Sequence, residues 1–267
     1  MNQCQSVKSV SKIFAVAGVV IKELYRRKDF YVLFILTVLI TLVMWSARFF
    51  NDDGIVRALK EICLMLVWLS MLVIAITTTA RQIPFERESR TIFPLLAKPI
   101  TRAQVMVGKF LGCWLACGLA LIVFYVFFGL ISASREHTLP LTQYLQAIWL
   151  HWQMLGIVVA LTLLGSVLFT SPAENITITL IVTTGILFIA EHLHKVAERM
   201  SEPSATILTA VYFAVPHLEF FDTQKLIIHN WPAIEWRFVG GATLYAASYT
   251  ALFLLAACLV FRRKALN

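Results

Sequence analysis

Apolar tracts at 30–47, 62–80, 105–131, 148–169, 172–190 and 239–261 dominate this chain and restrict it to one kind of fold. A helix needs about 20 predominantly apolar residues to cross the hydrocarbon of a bilayer, and each tract approaches or exceeds that length. The reading is an all-α integral membrane protein with six transmembrane helices. Hydrophobic residues make up 59% of the chain and charged residues 14%. Soluble domains hold about 45–50% and 25%, so a soluble core would have nowhere to hide this much apolar side chain. The formal net charge of +8 is distributed as short clusters flanking the apolar tracts. That pattern is a topology signal and not a nucleic-acid face, which would be continuous and interleaved with aromatics.

Two helix starts are legible in detail. Thr101 and Gln104 have the spacing of a reciprocal capping box, with Ile100 and Val105 placed as the flanking hydrophobic staple. Ser171-Pro172-Ala173-Glu174 combines an N-cap serine, a proline at the first helical position and a glutamate in the first turn. It predicts a tight turn between the fourth and fifth spans.

Basic residues are retained in the cytoplasm during insertion. Lys8, Lys12, Lys22, Arg26, Arg27 and Lys28 precede the first span. Arg81, Arg87, Arg90, Lys98, Arg102 and Lys109 lie around the segment between spans two and three, and Arg262, Arg263 and Lys264 follow the last span. An even number of spans puts these groups on one side, so both termini are expected in the cytoplasm. The early lysines argue against a cleaved signal peptide, and the first span itself is expected to direct insertion.

The expected organisation has four parts. Residues 1–29 form a cytoplasmic amphipathic helix lying in the interface, because Val10, Ile13, Phe14, Ala17, Val20, Ile21 and Leu24 recur at helical spacing opposite Lys8, Lys12, Lys22 and Arg26. Residues 30–261 form the six-helix domain, with a cytoplasmic segment at 81–104 and an outer loop at 191–238. Within that loop Pro203 and Pro216 bracket an apolar run about half the spanning length, which predicts a short re-entrant helix before the last span. Residues 262–267 form a cytoplasmic tail.

The sequence holds no GxxxxGK[ST] phosphate loop, GxSxG elbow, HExxH helix or GxGxxG fingerprint. No Asp, Glu, Lys or Arg falls in the middle of a span, where ion-coupled carriers place their relays. Neither a resident cofactor nor catalysis by the chain itself is expected. The five cysteines, Cys4, Cys63, Cys113, Cys117 and Cys258, show no CxxC spacing, and Cys113 and Cys117 share a helix face as packing residues. His137, His151, His192, His194, His217 and His229 all fall on or near the outer side. Glu191-His192-Leu193-His194 has a loosely ligand-like spacing, which keeps an outer metal site as an alternative beside loop packing. Gly108, Gly112, Ala116 and Ala120 form a small-residue stripe on span three that admits another helix closely. Asn175, Thr177, Thr179, Thr183 and Thr184 make span five the most polar, to line a passage or to bond neighbouring helices.

The cytoplasmic segment from Arg81 to Arg102 mixes charge with Phe85, Ile92, Phe93, Leu95 and Leu96, and Pro84, Pro94 and Pro99 divide it into short pieces. A linker has no use for these apolar residues. Anchors such as Phe85, Phe93 and Leu96 in a charged rim describe a protein contact; a short helix on lipid headgroups is the other reading.

Phe85-Glu86-Arg87-Glu88 with Thr91, then Leu95-Leu96-Ala97-Lys98-Pro99-Ile100-Thr101-Arg102 and Gly108-Lys109, resembles the cytoplasmic signature of type-2 ABC exporter permeases. Pro216-His217-Leu218-Glu219-Phe220-Phe221-Asp222 is similar to a stretch that small members carry before their last span. Arg90 stands where the signature usually has glycine, and Ile92 and Pro94 alter the helix that follows. The resemblance implies a permease that pairs with a second copy or a paralogue in the bacterial inner membrane. It also implies a separate ATP-binding cassette ATPase that binds the ATP and docks near Glu86, Glu88, Arg90 and Arg102. Members export lipids, polysaccharides, drugs or peptides, and some serve maturation of a copper enzyme. The rival expectations are a non-transporting membrane anchor and a metal-handling membrane protein using the outer histidines.

Overall fold

The computed structural model describes residues 15, 17–22, 31, 34, 35, 38, 39, 42, 53–88, 101–136, 140–197, 206, 209, 212 and 215–263. Among them every regular element is helical: α1 (Asp53–Ala80), α2 (Gln82–Glu88), α3 (Arg102–Glu136), α4 (Leu141–Leu168), α5 (Pro172–Ala197), a 3-10 helix (Leu218–Phe221), α6 (Gln224–Ile228) and α7 (Trp236–Arg263). Four stretches are long and apolar enough to cross a membrane: Lys60–Glu88, Arg102–Ser134, Leu141–Leu168 and Trp236–Arg263. α5 adds a shorter apolar stretch, Pro172–Leu187. The first expected span is described at scattered positions, all helical, with the Phe34 ring edge-on to Phe124 at 5.4 Å.

The helices run past their apolar tracts, because nothing in the flanking sequence stops them. α5 continues to Ala197 and so enters the expected outer loop, where no glycine or proline intervenes before Pro203. α3 has 35 residues and is about 50 Å long, well beyond the roughly 30 Å hydrocarbon layer. Its start is the expected box: Gln104 N donates to Thr101 Oγ1 at 3.3 Å and Thr101 N donates to Gln104 Oε1 at 3.0 Å. α5 begins at Pro172, with Glu174 in its first turn. Of the expected re-entrant run, only positions 206, 209 and 212 are described, and they are helical.

α4 is the central helix. Of its spanning window 72% is buried, against 17% for α7, and α4 packs against α1, α3, α5 and α7. Lipid gives apolar helices no solvent-driven reason to associate, so close approach and interhelical hydrogen bonds must hold them. Trp114 on α3 and Trp152 on α4 stack with ring centroids 4.5 Å apart. Each indole donates to the other's backbone carbonyl: Trp114 Nε1 to Trp152 O and Trp152 Nε1 to Trp114 O, both at 3.0 Å. Each helix has a glycine one turn further on, and the opposite indole lies over it. A Cβ on Gly118 would stand 2.6 Å from Trp152 Nε1, and one on Gly156 3.1 Å from Trp114 Nε1.

The small-residue stripe of α3 also receives a neighbour. Residues 17–22 are helical, and a Cβ on Gly112 would come within 2.8 Å of Val20 Cβ and 2.9 Å of the Ala17 Cα. The apolar face at Ala17 and Val20 is therefore buried against α3. At the far end of the molecule, α6 stops in a Schellman turn: Asn230 takes φ 50 and Trp231 N donates to Leu226 O at 3.1 Å. Asparagine tolerates this left-handed conformation better than most residues.

Two outcomes test the packing. Gly118→Val forces the Trp152 indole aside and should cost about 1–3 kcal/mol, read as a lowered unfolding midpoint by tryptophan fluorescence in detergent. Gly240→Ala, where a Cβ meets nothing within 4 Å, should leave that midpoint unchanged or raise it. Thr101→Ala should destabilise the start of α3 by about 1 kcal/mol, read as faster proteolysis there; unchanged protease resistance would mean that the box contributes nothing.

Candidate functional site

The described signature residues, Phe85 to Glu88, Thr101, Arg102, Gly108 and Lys109, collect at the end of the bundle where α1 finishes, α3 starts and α7 ends. α1 gives way at Arg81 to α2, whose Pro84 lies in the first turn, where a missing N–H costs little. α2 buries Gln82, Ile83 and Pro84 and exposes Phe85 and Glu88. Lys109, in the second turn of α3, is only 3% exposed. Its ammonium lies 2.8 Å from Glu86 Oε1 and donates to Gln82 O at 3.2 Å and to Gln82 Oε1 at 3.1 Å. An ammonium has three N–H donors, so its capacity is filled. Removing one partner of such a buried pair leaves an uncompensated charge, at a cost of about 3–5 kcal/mol. α2 is thereby fixed to α3 by a bond that is expensive to break.

Arg102 serves a second junction. Its Nη1 donates to Phe261 O at 2.9 Å and to Arg262 O at 3.3 Å, and its guanidinium carbon lies 5.7 Å from the Phe261 ring centroid. These are the last carbonyls of α7, which carry the negative end of the helix dipole. A cation at the first position of α3 would be unfavourable there; reaching α7 offsets that.

Between α2 and the start of α5 lies an open cleft of about 360 Å³. Arg81, Phe85 and Glu88 wall one side and Ser171, Pro172, Ala173 and Ile176 the other. Phe85 is 60% exposed, a large apolar ring between opposite charges. Arg87, next in α2, is partly buried, and its Nε and Nη2 have no hydrogen-bond partner, nor does Glu86 Oε2.

The structure thus divides the residues expected at a partner contact. Phe85 and Glu88 face outward, Glu86 turns in to Lys109, and Arg102 is engaged by α7; Arg90, Phe93 and Leu96 lie outside the described residues. The sequence marked Lys109 as a topology charge and as part of the Gly108-Lys109 pair but gave it no partner, although a lone charge near the start of an apolar tract was a signal that it needed one. The contribution of the α4–α5 turn to the cleft had no sequence signal, since it depends on which helix ends meet.

The polar residues of α5 also divide. Asn175, Thr179 and Thr183 are buried at four-residue intervals, whereas Thr177 and Thr184 are exposed beside Ile178 and Ile181. Asn175 Nδ2 donates to Thr162 O on α4 at 3.1 Å and its Oδ1 accepts from Thr179 Oγ1 at 3.1 Å. It packs over Gly165, where no Cβ would fit. Asn175 ties α5 to α4, and Thr179 orients its amide.

The histidines are packed with aromatic partners. Buried His151 shares a hydrogen bond with Tyr125 OH at 3.3 Å through Nδ1 and lies near the Trp68 ring. The His217 main-chain N–H donates to Tyr245 OH at 2.8 Å, and its ring stacks on Phe220. His229 stacks on Trp231. His137 and the side chains of His192 and His194 lie outside the described residues. Among the described residues no three His, Cys, Asp or Glu side chains converge as metal ligands would.

The chain matches the family described as ABC-2 family transporter protein over residues 19–264, which takes in every helix from α1 to α7. No curated protein matches the chain. The family's members are transport components of the membrane, not themselves catalytic, and associate with an ABC ATPase. An all-α, multi-pass chain matched across nearly its whole length, with its described signature residues at one end of the bundle, belongs to the ABC-2 transporter family.

Proposed function

We propose that this chain is the permease subunit of an exporter powered by a separate ATPase, which docks on the cleft formed by α2 and the α4–α5 turn. The observation that carries this reading is Phe85, exposed between Arg81 and Glu88 at the mouth of that cleft. A ring in a charged rim is the composition of a protein contact's anchor. Arg90, Phe93 and Leu96 continue the same segment of sequence and complete the dock.

In this reading, force applied to α2 passes into α3 through Glu86 and Lys109, and into α7 through Arg102. The passage forms between two copies of the chain. The exposed α5 face with Thr177 and Thr184 turns toward it, while Asn175, Thr179 and Thr183 keep that face in register with α4. Both termini and the cleft lie in the cytoplasm, with the six-span domain in the bacterial inner membrane.

Topology is tested by cysteine labelling of intact cells: Lys225→Cys should react from outside, and Arg262→Cys only after permeabilisation. Reaction of the Lys225 variant from inside alone would invert the arrangement. For the dock, Phe85→Asp places a charge in what should become a dry contact, where an unpaired charge costs several kcal/mol. The variant should remain inserted, because Phe85 is exposed, and should lose at least about tenfold in co-purification with its ATPase. Recovery of the complex at wild-type yield would remove the cleft as the dock. Steady ATP hydrolysis by the purified chain alone would refute the assignment of energy to a separate subunit.

A further inference from the structure

The opposite end of the bundle carries a groove that this reading does not use. It encloses about 540 Å³ and is bordered by Leu150 on α4, Phe220 on the 3-10 helix, Ile234, and Arg237, Gly241 and Tyr245 on α7. That volume is within the range of small-ligand sites, and apart from the guanidinium the walls are almost entirely apolar. The walls are also firmly built. Gln146 on α4 exchanges two hydrogen bonds with the Ile234 backbone, Nε2 to O at 2.8 Å and N to Oε1 at 2.9 Å. The Tyr245 hydroxyl is held by His217, at 2.8 Å from the main-chain N–H and 3.1 Å from Nδ1.

Two further observations point to an occupant. Gly241 stands within α7 on the groove wall, although glycine is the poorest helix former after proline. In membrane helices such a glycine usually admits a close neighbour, yet a Cβ there would meet nothing within 4 Å inside the protomer. The groove beside it is open to something outside the chain. Trp231 and Trp236, exposed at the start of α7, are the residue type that settles at the headgroup level of a bilayer. Arg237 stands exposed at that level on the rim, and Glu235 does not border the groove. A cation at headgroup depth above an apolar slot is complementary to a phosphate above an acyl chain.

We propose that this groove binds one phospholipid per protomer, its acyl chain lying along Gly241 between Leu150 and Phe220 and its phosphate paired with Arg237. The site stands on the geometry of α4, the 3-10 helix and α7 and does not depend on the ATPase reading.

Native mass spectrometry of the purified chain in detergent, titrated with dioleoylphosphatidylglycerol, reads the occupancy directly. Wild type should take up one lipid per protomer. Arg237→Gln should weaken binding at least about tenfold, since a charge-assisted pair to phosphate is lost. Gly241→Trp should abolish it by filling the slot, while Gly240→Trp, one residue outside the lining, should leave it unchanged. Gly241→Leu replaces the tryptophan variant if the latter does not fold. Equal occupancy in wild type and the Gly241 variant overturns the proposal, as does equal loss in the Gly240 and Gly241 variants. Displacement of the lipid by inorganic phosphate would show that a free ion is the ligand and would overturn it too. Dissociation of a dimer by Gly241→Trp with lipid binding intact would assign the groove to a second copy of the chain instead.

Discussion

The fold depends on how closely α3 and α4 approach in a solvent that offers them no incentive to do so. Lipid tails are as apolar as leucine, so burying leucine between two spanning helices gains little. The reciprocal indoles of Trp114 and Trp152 supply what is missing: two hydrogen bonds, a stacked contact, and room for both over Gly118 and Gly156. α4 is thereby held at the centre, where it carries buried Gln146, His151, Gln153, Thr162 and Ser166. Thr162 and Ser166 return their hydroxyls to their own helix, at 2.7 Å from Val158 O and Leu163 O.

Charge inside the bundle is used sparingly. A lysine buried at the start of an apolar helix is tolerable only because α2 brings a carboxylate and a glutamine to it. The same residues that make α2 part of the bundle leave Phe85 and Glu88 outside it. One short helix is thus both anchored within the protein and available to another.

Much of this was legible along the chain, and the limits have physical causes. Local chemistry was readable: the Thr101–Gln104 box forms as spaced, and α5 starts at Pro172, because capping depends on residues within one turn. The stripe at Gly112 announced a close neighbour but not its identity. Pairings across helices were not readable. Trp114 and Gly118 repeat the spacing of Trp152 and Gly156, yet nothing in one helix states that the other faces it. The inward row of α5 follows a period of four once Asn175 is known to face α4, and the sequence alone leaves both faces of that helix polar. Apolar tracts mark the hydrocarbon layer and not the length of a helix, so α1, α3 and α5 continue beyond theirs.

Arg102 gives the bundle a property that no single helix has. α3 is pinned to α4 by the two indoles and to α7 by the Arg102 guanidinium; α4 is pinned to α7 by Trp149, whose Nε1 donates to Thr243 Oγ1 at 2.9 Å, and to the Ile234 backbone just before α7 by Gln146. Three rods joined pairwise near different heights make a triangulated frame, which resists shear as a two-member joint does not. α5 hangs from this frame by the Asn175 hinge next to its start, and α1 leans against it through apolar side chains. Motion within a protomer therefore falls first to α5, while Glu86 and Lys109 tie the α2 end of α1 to the frame.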